Sequence, residues 1–157
     1  MQELLKKKRE IDRLYNEARS MELTMDTAAQ SVIEQALDSI ADVFDQIDSS
    51  FGAFMTGTCG LSVTRQGAKG DMCWVLQIGV SPLPSVTYLR RNGKWISNMP
   101  NLEQKVKAAK CIMDGWQYFS CKVKADIEAA IKRDMKSKID DVERMVNFLQ
   151  KAESFKI

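Results

Sequence analysis

Apolar residues fall every three or four positions through the first fifty residues, every second position through the next fifty, and every three or four again to the end. In the first stretch Met25, Ala28, Val32, Ala36, Ile40, Phe44, Ile47 and Phe51 make one line along a helix, widened by Ile33, Leu37 and Val43. A stripe this broad at the helical period is a face made for burial. Upstream, Leu4, Ile11, Leu14 and Ala18 continue it more narrowly among charged residues. No proline or glycine interrupts residues 1–50, so the pattern predicts a nearly continuous helix. The one joint it offers is near residues 24–27, where Thr27 with Gln30 and Ser31 with Glu34 fit capping boxes.

At SSFG the period changes to two. The odd positions from Ala53 to Val63 read Ala, Met, Gly, Cys, Leu and Val, and the even positions are mostly Thr, Ser and Gly, as in one strand with a single buried face. QGAKGD is a turn, and Met72, Trp74, Leu76, Ile78 and Val80 share a face of the next strand. SPLPS ends that strand, because each proline fixes φ and lacks an N–H for the ladder. In LRRNGKWIS, Asn92 and Gly93 suit the positive φ angles of a two-residue type I′ turn. That turn would pair Arg91 with Lys94, Arg90 with Trp95 and Leu89 with Ile96. Val86, Tyr88, Arg90, Trp95 and Met99 would lie on one face, with Arg90 stacked on Trp95. Leu89, Arg91, Lys94 and Ile96 would lie on the other.

Asn101, with Gln104 three residues on, reads as the N-cap of a second long helix. Its apolar line runs from Leu102 to Ala130, with Ile131 beside the last, then shifts phase to Met135, Ile139, Val142, Met145 or Val146, Leu149 and Ala152. A slip near residue 130 predicts a change of packing partner there. Gly115, costly inside a helix, predicts a close backbone approach beside Trp116. The fold class expected is α+β in a single domain, 1–157: a helical arm over 1–50, a four-strand antiparallel meander over 51–99 and a helical arm over 101–157. Fifty helical residues extend about 75 Å, so the helical ends must pair, in a coiled-coil-like manner, with each other, with another chain, or with both. A homodimer is expected.

Composition narrows the chemistry. The chain has no histidine, which removes Ser-His and Cys-His nucleophiles and every His-ligated metal site. Cys59, Cys73, Cys111 and Cys121 form no CxxC pair and read as reduced thiols. GTCGLSVT and GAKGD miss the phosphate-loop pattern and lack a following helix N-terminus. Acid pairs such as Asp140 and Asp141 read as solvated helix faces. No catalytic residue, metal or cofactor is therefore expected, and the protein is read as a non-enzyme. The charged start and the lack of any long apolar run predict no membrane segment and a cytoplasmic location.

The net charge is only +2, but residues 20–64 hold seven acidic side chains and no Lys or Arg, whereas residues 105–138 hold nine basic against four acidic. An acidic and a basic helix able to neutralise each other weaken the case for a nucleic-acid-binding accessory protein using the basic hairpin and basic helix faces, which stands as the alternative. The function expected is a protein-binding module, an adaptor or inhibitor of a larger protein partner, acting as a helical homodimer. Its contact residues would be Tyr88, Arg90, Arg91, Lys94 and Trp95, an aromatic anchor among cations at a projecting hairpin tip.

Overall fold

The computed structural model describes residues 1–68 and 70–155. Helix α1 (Gln2–Gln46) leads into strands β1 (Phe54–Thr58), β2 (Leu61–Ala68), β3 (Asp71–Ile78), β4 (Val86–Arg91) and β5 (Lys94–Ser97), and helix α2 (Leu102–Ser154) closes the chain. The α+β class and the packed long helices are as the periodicity predicts, but the sheet has five strands, in the order β1-β2-β3-β4-β5. The extra strand comes from a hairpin at Cys59 and Gly60, whose φ angles of 56° and 77° fit a type I′ turn. Thr58 pairs with Leu61 across it, which splits the single strand read over residues 53–63. The inward face changes parity at this turn: Thr56 in β1 is buried, then Leu61, Val63 and Arg65 in β2.

Strand number decides the direction of the helices. All four neighbouring strand pairs are antiparallel. Five strands between two helices therefore give six reversals, and α2 runs parallel to α1. The cross-helix contacts agree: Lys105 Nζ donates to Asp26 at 3.2 Å and Trp116 Nε1 to the Ser39 hydroxyl at 3.0 Å, while Ile47 and Ile131 line one cleft further along. Four strands would have made the helices antiparallel and sent their free ends out on one side.

One layer of side chains between the helices and one sheet face forms the core. Phe44 stacks on Trp74 with centroids 4.3 Å apart, and Ile33, Ile40, Leu76, Ile78, Val86 and Phe119 are almost wholly buried around them. The buried line on α1 keeps Ala36, Ile40 and Phe44 of the expected one with Ile33 and Leu37 beside it, and extends on that side to Ala29 and Ala41. Val32 lies at its edge, and Met25 and Ala28 are exposed. α1 continues unbroken through residues 24–27, where the Thr24 and Thr27 hydroxyls donate to the carbonyls of Ser20 and Leu23 one turn back. They satisfy a helix interior and cap nothing. At the start of α2 the capping box forms in full, Asn101 accepting from Gln104 N at 2.9 Å and Gln104 Oε1 accepting from Asn101 N at 3.0 Å.

The helices outrun the body they enclose. Residues 1–25 and 131–155 are exposed throughout, and the last partly buried position on α2 is Ala130, where the apolar phase slips. Because the helices are parallel, these two arms leave from opposite ends. Gly115 sits where a Cβ would stand 2.7 Å from Cys59 Cβ, so the close approach is to the β1–β2 turn.

Candidate partner-binding surface

The β4–β5 hairpin forms in the register its sequence predicts: Arg91 pairs with Lys94, Arg90 with Trp95 and Leu89 with Ile96. Asn92 and Gly93 take φ of 53° and 73°. Alternation along the two strands then divides the five candidate contact residues between opposite faces. Tyr88, Arg90 and Trp95 point at the helices, while Arg91 and Lys94 point to solvent on the far face of the sheet.

On the inward side the three residues serve the fold. Tyr88 is 4% exposed, and its burial, with Glu34 nearby, raises its hydroxyl pKa. Trp95 meets Phe44 edge to face at 6.2 Å and packs against the core, its Nε1 buried with no partner among the described residues. Arg90 lies over the Trp95 ring at 5.2 Å, the stacking expected from the register. Its guanidinium also grips Asp45 with both arms, Nε to Oδ1 at 3.0 Å and NH2 to Oδ2 at 2.6 Å. This bidentate bond holds the Asp45 carboxyl below its usual pKa and raises that of Arg90. Nothing local to the hairpin announces Asp45, which lies forty-five residues away. The only signal is the acidic row of Asp38, Asp42 and Asp45, a helical turn apart.

The outward side is a different surface. Arg91 and Lys94 are exposed beside Ile96, which is 57% exposed, and Arg91 comes within 3.9 Å of Asp71 on β3. Cations flanking an exposed branched aliphatic side chain on an edge hairpin form a small amphipathic patch. Ile96, which is not among the five candidate contact residues, shares this outward face.

Two further polar features are structural. Thr56 on the edge strand β1 donates to Asp126 on α2, which also accepts from Lys122 at 2.8 Å; these bonds, that from Lys122 first, depress the Asp126 pKa. Arg65, 5% exposed, lies between Phe51 and Trp74 at 5.4 and 5.3 Å and donates from NH2 to the Asp48 carbonyl at 2.8 Å. It is a cation used as core. Among the described residues no three His, Cys, Asp or Glu side chains gather in a group able to hold a metal ion, and no helix is long and apolar enough to cross a membrane. Comparisons with protein-family models, with curated proteins and with solved structures found no match to the chain.

Proposed function

We propose that the protein is a non-enzymatic protein-binding module, an adaptor or inhibitor of a larger protein, that acts as a helical homodimer. The observation that carries this reading is the pair of arms. Leu4, Ile11 and Leu14 at one end, and Ile139, Val142 and Leu149 at the other, are each more than half exposed at heptad-like spacing. Exposed apolar rows of this length on a soluble fold mark an interface. The partner-facing surface is the outward patch of Arg91, Lys94 and Ile96, which the helical layer leaves free.

Light scattering tests the first part: the expected mass is about twice the 17.8 kDa of one chain, and a monomer at micromolar concentration overturns it. For the second part, Arg91→Glu, Lys94→Glu and Ile96→Asp are combined in one chain and its captured proteins are compared with the parent's by mass spectrometry. The expected result is loss of a protein that the parent holds reproducibly, with the thermal melt unchanged. Identical capture by both chains moves the binding surface elsewhere.

A further inference from the structure

Among the described residues neither arm has a partner in its own chain, because parallel helices send the arms out at opposite ends. We propose that a second copy covers both at once, in a two-fold arrangement where the N-terminal arm of each copy lies antiparallel along the C-terminal arm of the other. This rests on the homodimer reading and specifies its geometry.

Three observations converge on it. The arms, residues 2–25 and 131–154, are equally long, each roughly 36 Å at 1.5 Å per residue, and extend from the two ends of one body. A copy turned end for end and set beside the first thus brings each arm against the other kind. Next, the seam is continuous. A groove of about 540 Å3 runs between α1 and α2 on the side away from the sheet, lined by Val32, Ala36, Ile112, Met113 and Trp116 among others. Its residues lie midway along the combined helical span, where the two-fold axis would fall. The α1 row of Leu4, Ile11, Ala18 and Met25 enters this groove at Val32, each step being seven residues.

Charge selects the orientation. In the antiparallel register that matches the apolar rows, Ile11 meets Val142, Leu14 meets Ile139 and Ala18 meets Met135. The flanking positions then set Lys8 beside Glu143 and Glu17 beside Lys138, with no like charges opposed in those positions. Lys8 and Lys138 form exposed bridges to Asp12 and Asp134 on their own helices, which exchange readily. The parallel alternative, Ile11 with Ile139 and Leu14 with Val142, places Glu10 beside Glu143 and leaves an open head-to-tail chain. Pairing like arms covers two of the four and leaves the others bare. Only the antiparallel exchange both closes and covers all four arms.

Cysteine cross-linking distinguishes these arrangements. Ile11→Cys and Val142→Cys are made singly and together, oxidised as native protein and run without reductant, with the parent as control because Cys59 and Cys121 are exposed. The expected result is a covalent dimer from the double variant and no band beyond the parent's from either single variant. A closed dimer forms both disulfides between the same two chains, so the band stops at the dimer. A ladder of higher species from this variant, or from Ile11→Cys with Ile139→Cys, which the parallel register sets opposite each other, establishes the head-to-tail chain instead, and a dimer from Val142→Cys alone establishes like-arm pairing. Either overturns the proposal, as does failure to cross-link both by this variant and by Leu14→Cys with Ile139→Cys while light scattering still reports a dimer. A monomeric mass defeats the homodimer reading itself.

Discussion

The inner and outer halves of the two helices carry apolar residues at the same helical spacing and meet opposite environments. Along residues 29–44 of α1, Ile33, Ile40 and Phe44 are fully enclosed by the sheet. Along residues 4–25, Leu4, Ile11 and Leu14 stand in solvent. The inner half is the richer, with a face that buries about three residues per two turns against a sheet, whereas the arm has the two-per-heptad seam suited to one neighbouring helix. Stripe width therefore foretells the kind of partner, a layer or a single helix. It does not foretell which chain supplies that partner.

Truncating one residue from each half breaks or sustains the contrast. Phe44→Ala removes the ring stacked on Trp74 and should cost about 3–5 kcal/mol of folding stability, read as a fall in the thermal midpoint. Leu14→Ala should leave the body's midpoint almost unchanged in dilute monomeric protein while weakening self-association measured by sedimentation. Equal losses of midpoint from both would mean that arm and body fold as one cooperative unit.

Most of the fold was legible because local chemistry dictated it. Asn92 with Gly93 set a hairpin register correct to the residue, and Asn101 with Gln104 placed the start of α2. The strand count was harder, for a physical reason. β1 is an edge strand whose buried residue is Thr56, tied to Asp126, so its inward face looks polar in sequence. Cys59 is also an unusual occupant of a positive-φ turn position. One unnoticed reversal then hides the direction of α2, and with it the opposite exits of the arms. At the hairpin, alternation correctly separated Arg90 from Arg91. What sequence could not show was that Asp45 waits across the layer to occupy Arg90, because that bond depends on how α1 crosses the sheet.

Gly115 offers a smaller test within the inner half. Alanine there gains about 1 kcal/mol of helix propensity but puts a Cβ into Cys59, an overpacking worth about 1–3 kcal/mol. Net destabilisation is expected. Thr24→Ala, on an arm, meets no such neighbour and should leave the melt unchanged or slightly raised. Stabilisation by Gly115→Ala would show that the β1–β2 turn gives way and that the close approach exerts no constraint.

The smallest effect expected is electrostatic and marks the boundary between the two surfaces of the hairpin. Asp45 has its folded pKa lowered, chiefly by its hydrogen bond from Arg90. A carboxylate with a depressed folded pKa adds stability that is fully present above its unfolded value, about 3.9, and is lost as pH falls through the folded value. The Asp45 side chain is 41% exposed, so solvent screening keeps the contribution below about 1 kcal/mol. Asp45→Asn should therefore lower the thermal midpoint slightly at pH 7, with the gap from the parent closing on acidification below pH 4 and narrowing in high salt. Lys94→Gln, on the outward face, should show no such pH-dependent gap. If the Asp45 gap persists unchanged at pH 2, the loss comes from side-chain packing around Arg90 and Trp95, and the ion pair adds nothing to holding the inward face closed.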